Sequence, residues 1–158
     1  MRIVEGEIEI KSVSDFLKRL NCNVVLIDAN YVVDIDHVEF AVKKAIKAWN
    51  ENRRVARTLV MEILLYVAAR RQINEAIKIG PKSGRNEIVA VLLDDECLES
   101  LKELGFKEKK VLKIDDKKIE RIKEFFDISD EELRIVGIGK LPLLIRERIV
   151  LFDIFKSS

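Results

Sequence analysis

The stretch from Leu59 to Ala69 constrains the fold of this chain more than any other. Its sequence, LVMEILLYVAA, is apolar at every position except Glu62. A helix with apolar side chains on all sides has to be buried, and one of this length spans about 17 Å. Thr58 is its predicted N-cap, and Glu62 lies in the first turn, where the helix dipole favours a negative charge. The rest of the chain must therefore cover this helix on all sides.

The covering layers are predicted from hydrophobic periodicity. Four segments have the pattern of strands, the last as an edge strand: Arg2 to Ile10, Val24 to Ile27, Asn86 to Leu93 and Val111 to Ile114. Amphipathic helices separate them. We therefore expect a single mixed α+β domain over residues 1–158, with a small sheet of about four strands covered by helices and a central buried helix.

Side chains that accept hydrogen bonds mark the expected helix starts. Asp36, followed by Glu39, is predicted to cap the helix that carries Val38 to Trp49. Asp94 or Asp95 is expected to cap the next helix after the Asn86 strand. Nearer the C-terminus, helix starts are predicted at Asp115 or Asp116 and at Ser129, where Glu132 completes a capping box.

The last predicted helix, Pro142 to Phe155, is apolar over most of its circumference. Proline in the first turn suits a helix start. A helix this apolar has to be buried on two sides, and one side packs against the core of its own domain. The other side is buried either by a deeper position within the same domain or by the surface of a partner.

Charge is distributed unevenly along the chain. The net charge is +1, yet the window from Lys43 to Asn86 holds eleven basic and three acidic residues. Such asymmetry favours a face that meets a polyanion, although a solvated helix face evened out by neighbouring charges gives the same pattern.

Motifs for chemistry are mostly missing. Cys22, Cys97 and His37 are too few for a Cys/His metal site, and two cysteines cannot make a disulfide scaffold. Asp28, Asp34 and Asp36 could hold Mg²⁺, but caps and turns also account for them. The segment Gly80 to Gly84 lacks the glycines of a phosphate-binding loop. We expect no cofactor and no catalytic residue.

No apolar run is long enough to cross a bilayer, and the N-terminus does not resemble a signal peptide. The expected location is therefore the cytoplasm, with no membrane partner.

The basic residues that follow the buried helix are candidates for binding a polyanion. If the helix runs on past Arg70, then Arg70, Arg71, Asn74 and Lys78 share one sector of about 100°. The alternative is a break followed by a new helix that ends at Gly80-Pro81. Arginine pairs with phosphate through two parallel hydrogen bonds, and an asparagine can add a contact to a base or ribose.

Several of these segments together resemble the small kinase-binding subunit of the KEOPS complex. The resemblance rests on Thr58 to Tyr66, on the Arg70-Arg71-Gln72-Ile73 segment with Ala76-Ile77 and Gly80, on Val24 to Ala29, on Ala41 to Ala45 and on Ile88 to Leu93. It covers most of residues 1–95 and becomes loose beyond them. KEOPS makes threonylcarbamoyladenosine in tRNA.

The resemblance implies a non-catalytic subunit with two partners. One is the small atypical kinase/ATPase of the complex, which the C-terminal helix would contact through Leu144, Ile145, Arg148, Ile149 and Phe152. The other is the 3′ CCA end of tRNA, which would bind Arg57, Arg70, Arg71, Gln72, Asn74 and Lys78. Two other hypotheses stay open: a small metal-dependent enzyme that uses the aspartate cluster, and a self-associating scaffold that uses the last helix.

Overall fold

The computed structural model of the protein describes residues 1–156, and its centre is a four-stranded antiparallel sheet. The strands are β1 (Arg2–Ile10), β2 (Val24–Asp28), β3 (Gly84–Leu92) and β4 (Lys107–Glu108), in the order β2-β3-β1-β4. The helices are α1 (Val13–Arg19), α2 (Ile35–Asn50), α3 (Leu59–Ala68), α4 (Ile73–Ala76), α5 (Cys97–Glu103), α6 (Asp116–Phe125), α7 (Asp130–Val136) and α8 (Leu141–Phe155). The predicted mixed α+β fold is confirmed.

The two faces of the sheet are covered unequally. β1 and β3 pair along their whole length, from Arg2 opposite Leu92 to Ile10 opposite Gly84. Because side chains alternate along a strand, β3 contributes to two apolar clusters. The smaller cluster contains Ile88 and Ala90 together with residues of α1 and α5. The larger contains Val89 and Val91 together with residues of α2, α3, α6 and α8.

Helix α3 lies inside the larger cluster, as its composition predicts. Every side chain from Glu62 to Ala68 is buried, and α3 contacts α2, α8 and β2. The Thr58 hydroxyl accepts the Met61 N–H, which confirms the predicted N-cap. The ring of Tyr66 is fully buried and meets Phe152 of α8 edge-to-face, with ring centroids 4.9 Å apart.

The alternative in which this helix continues past Arg70 is wrong. Ala69 adopts the left-handed conformation, with φ 50°, and the Arg70 N–H bonds back to the Leu65 carbonyl. This bond closes α3 as a left-handed C-cap does. The chain starts again at α4, so the basic residues lie on a turn and a new short helix.

Two of the predicted caps are displaced. Asp34, not Asp36, caps α2, and its Oδ1 accepts the His37 N–H at 2.8 Å. Asp94 and Asp95 do not cap α5, whose N-cap is Glu96. The Asp94 carboxylate instead accepts the Asn23 N–H at 2.7 Å and so fixes the turn that enters β2.

The predicted edge strand Val111 to Ile114 is also wrong, because the edge strand is β4, which pairs with Gly6 and Glu7. The amides of Val111 and Leu112 donate to Glu5 Oε1, so a side chain replaces the expected strand partner. Gly6 is required at this edge, since a Cβ there would lie 2.2 Å from the Lys107 carbonyl oxygen.

A disulfide between Cys22 and Cys97 joins the segment before β2 to the start of α5, with the Cα atoms 5.6 Å apart. The sequence did not predict this pairing, because the two cysteines are 75 residues apart.

Candidate partner and nucleic-acid surfaces

Helix α8 turns one face towards the core and the other towards solvent. Four of the five residues predicted to face the kinase are buried within the chain's own larger cluster: Leu144, Ile145, Ile149 and Phe152. They pack where α8 contacts α2 and α3. These four side chains are therefore not available to a partner, and introducing charge at them would disrupt the core.

The outward side of α8 carries a second set of apolar side chains that remain exposed. They are Leu143, Leu151, Ile154 and Phe155, with 51%, 43%, 59% and 60% of their surface accessible. We call this set the outer face. Positions 143, 151 and 154 lie within one sector of about 80°, and position 155 lies about 40° outside it, where the helix end leaves it exposed. Ile135 of α7 and Ile138 in the 3-10 turn before α8 add exposed apolar surface earlier in the chain.

Arg148, the fifth predicted kinase contact, holds neighbouring elements together. Its guanidinium donates to both carboxylate oxygens of Glu132, at 2.8 and 3.0 Å, and to the carbonyls of Phe126 and Asp127. Arg148 lowers the pKa of the Glu132 carboxyl. Ser129 does accept the Glu132 N–H, but the Glu132 side chain binds Arg148 and does not complete the predicted capping box.

Arg70 is likewise held within the fold. Its guanidinium donates to Glu75 at 3.0 Å and to the Phe125 carbonyl, and it lies 4.8 Å from the centre of the Phe125 ring. These contacts tie the turn after α3 to α4 and α6. Arg70 therefore shapes the basic turn and has less freedom to follow a phosphate.

The other basic and polar residues after α3 are exposed: Arg71, Gln72, Asn74 and Lys78. We call these four the basic turn. Arg57 is also exposed but precedes α3, so it lies at the other end of a helix about 15 Å long. The structure thus keeps four of the predicted RNA-binding residues together and separates Arg57 from them.

Two cavities adjoin the basic turn. One, of about 360 Å³, is lined by Lys78, Arg70, Tyr31 and Arg121, among others. The second, of about 380 Å³, has Arg70 and Arg71 on one side and Leu151 and Phe155 of the outer face on the other. The basic turn and the outer face are therefore adjacent surfaces. Sequence reasoning missed Tyr31 and Arg121, which no local motif marks.

The residues considered for catalysis or metal binding have other partners. His37 is buried and bonded to two backbone groups, and burial lowers its pKa to about 4. Asp28 binds Lys82, Asp34 caps α2 and Asp36 pairs with Arg146. Over residues 1–156 no group of three or more His, Cys, Asp or Glu side chains is arranged to hold a metal ion. Within the same range no helix has the length and apolarity needed to cross a membrane.

Comparison with known families shows which family the chain belongs to. Residues 5–151 match the family model described as kinase binding protein CGI-121. The chain belongs to the CGI-121 family. The match includes α3, the basic turn and α8 up to Leu151, so the basic turn lies within the part of the chain that the family shares, whereas Ile154 and Phe155 of the outer face follow it.

Two archaeal relatives agree with this assignment. The KEOPS complex subunit Cgi121 of Pyrococcus abyssi is 36% identical over 106 residues, which cover 64% of this chain and 58% of that protein. The regulatory protein Cgi121 of Methanocaldococcus jannaschii is 30% identical over 135 residues, which cover 84% of each chain. The family identified from the sequence resemblance is therefore confirmed.

Proposed function

We propose that this CGI-121 protein is a non-catalytic subunit that docks on the small atypical kinase/ATPase of a KEOPS complex and binds the 3′ CCA end of tRNA for threonylcarbamoyladenosine synthesis. The observation that carries the proposal is the outer face of α8. It presents large apolar side chains to solvent along a helix whose opposite side is already buried. The family description, a kinase-binding protein, names the class of partner that would cover it.

The docking residues that we propose differ from those expected from the sequence. Leu151, Ile154 and Phe155 replace the buried set, because only accessible side chains can gain from burial against a partner. An exposed apolar patch of this kind marks interaction sites on soluble proteins.

The kinase half of the proposal is tested by charge reversal at this surface. Ile154→Glu combined with Phe155→Glu should abolish co-elution with the KEOPS kinase of the same organism, since two carboxylates would be buried without partners. Leu17→Glu combined with Ile114→Glu is the matched control, because both residues are similarly exposed outside α8. Co-elution of the α8 variant with the kinase at wild-type yield would contradict the docking surface.

The tRNA half rests on the basic turn. Arg71 and Lys78 supply positive charge, and Gln72 and Asn74 supply amide groups that can bond to bases or riboses. The aromatic ring of Tyr31 lies in the cavity beside Lys78, with Lys82 Nζ 5.4 Å from its centre and Arg121 also over the ring. An unpaired base that displaces one of these cations would stack on the ring. An unpaired CCA end offers both the phosphates and the bases that such a surface recognises.

Replacement of Arg71 and Lys78 by alanine should weaken binding of tRNA that carries the CCA end. Because two phosphate contacts to a single strand are removed, the plot of log K against log salt concentration should become less steep, its slope decreasing in magnitude by about 1.4. The control is Lys18→Ala with Arg19→Ala, which removes the same charge from the exposed side of α1. Equal losses in both variants, or equal binding of tRNA with and without its CCA end, would contradict this site.

A further inference from the structure

The residue that follows α8 is a lysine whose ammonium lies inside the protein. The Lys156 side chain is 1% exposed, and its Nζ donates to Glu62 Oε2 at 2.9 Å and to the Tyr66 hydroxyl at 2.6 Å. Nζ also lies 4.5 Å from the centre of the Tyr66 ring. Lysine is almost never fully buried unless it is paired. Here both partners belong to α3, so a single side chain fastens the end of α8 to the central helix.

Glu62 connects the same point to the loop before α3. Its Oε2 binds Lys156, while its Oε1 accepts the N–H groups of Val55 and Ala56 at 3.0 and 2.8 Å. The carboxylate has no exposed surface, and three donors satisfy its charge. Removing Lys156 would therefore leave a buried charge that keeps only its backbone donors.

Tyr66 extends this network back to α8. Its hydroxyl donates to Asp153 Oδ1 at 2.5 Å, and Asp153 also pairs with Arg53 at 3.4 Å. Burial, followed by the bond to Asp153, raises the pKa of Tyr66, so the phenol keeps its proton and continues to donate. The hydrogen bonds therefore run from Lys156 to Tyr66 and from Tyr66 to Asp153, so both ends of this network lie at the last turn of α8.

The last turn has little apolar packing of its own. Phe152 is buried, but Ile154 and Phe155 point towards solvent and contribute to the outer face. A helix end frays unless something holds it, and a turn whose large side chains face outward gains little from the core. The polar network around Lys156 provides the attachment that these two side chains do not.

We propose that Lys156 is a positioning residue, which locks the last turn of α8 onto Glu62 and Tyr66 and so holds Ile154 and Phe155 in place for docking. The inference rests on the proposed docking function of the outer face. In addition, the hydrogen bonds of Lys156 determine whether the outer face has one arrangement or several.

The test uses Lys156→Met, which keeps the length of the side chain and removes the ammonium. Amide hydrogen exchange of residues 153–156 should accelerate, while the amides of β3 stay protected. If the last turn keeps its docking arrangement about a tenth of the time, the apparent Kd for the kinase rises about tenfold. Lys118→Met is the control, because Lys118 is a buried lysine of α6 outside this network. It should leave the Kd unchanged even if it lowers stability.

Two outcomes separate this inference from the docking proposal. If Ile154→Glu with Phe155→Glu has no effect on kinase binding, the outer face is not the docking surface and the proposed function fails. If that pair abolishes binding while the Kd of Lys156→Met changes only in proportion to its folded fraction, Lys156 contributes general stability alone. The positioning inference is then overturned and the docking surface stands.

Discussion

The single histidine should make the stability of this protein depend on pH in a window where few other groups titrate. His37 is buried, with its Nδ1 accepting the Val33 N–H at 3.3 Å and its Nε2 lying 2.9 Å from the Val67 carbonyl. Both bonds require the neutral ring with its proton on Nε2. A proton on Nδ1 would face the Val33 N–H and break that bond.

Burial lowers the pKa of His37 from 6.5 to about 4. Between these two values the unfolded chain binds more protons than the folded one, so the free energy of unfolding rises with pH and falls on acidification. A fully expressed shift of this size corresponds to about 3 kcal/mol, and about 2 kcal/mol of it should be lost between pH 7 and pH 5.

The assay is urea unfolding at constant ionic strength at pH 7, 6 and 5, followed by the fluorescence of Trp49, the only tryptophan. His37→Gln is the control, because its amide can still donate to the Val67 carbonyl but does not titrate in this range. Glu7, Asp130 and Glu132 also have lowered pKa values, but carboxyl groups lose their charge mostly below pH 5.

The result that refutes the reasoning is an equal pH dependence in the wild type and in His37→Gln. The imidazole would then titrate alike in the folded and unfolded chains. A wild-type loss of less than about 0.5 kcal/mol between pH 7 and pH 5 would lead to the same conclusion.

Three further substitutions or treatments test the fold. Reduction of the Cys22–Cys97 disulfide should lower the free energy of unfolding by about 4 kcal/mol in the chain-entropy model, and urea titrations with and without reductant check this; Cys22→Ser with Cys97→Ser should show no effect of reductant. Gly6→Ala should destabilise by about 2 kcal/mol or more, because its Cβ would meet the Lys107 carbonyl and displace β4, and a wild-type melting temperature would argue against that clash. Thr58→Ala should lower the free energy of unfolding by about 1 kcal/mol, because α3 loses its N-cap. Thr58→Ser should keep most of that stability, because its hydroxyl can still accept the Met61 N–H, and the same urea titrations check both variants.

Periodicity and capping predicted most of the fold. The apolar run from Leu59 defined α3, and alternation defined β1, because burial on one or more faces leaves a direct record in the sequence. The errors arose where a long-range partner replaced a local one. Val111 bonds to the Glu5 side chain, 106 residues away, and not to a neighbouring strand. No local pattern encodes such a contact.

The candidate surfaces were predicted less well, for a related reason. The apolar character of α8 predicted that the helix would be buried on two sides, but not which side chains face the core and which face outward. Ile149 and Ile154 are chemically alike, and only the positions of α2 and α3 decide that one is buried and the other exposed. Arg70 and Arg71 are also adjacent and alike, yet Arg70 is half-buried and bonds to the Phe125 carbonyl of α6, whereas Arg71 is exposed.

The strand order determines when the sheet can form during synthesis on the ribosome. β1 and β2 both pair with β3, and the remaining pair needs β4, so no strand pairing can form before Gly84–Leu92 has been synthesised. At about 5–20 residues per second, β1 waits roughly 4–16 s for its partner. During that interval the α2 and α3 segments can already associate. We therefore expect helical structure to precede the sheet during synthesis, with the apolar residues of β1 open to chaperones until β3 has left the exit tunnel.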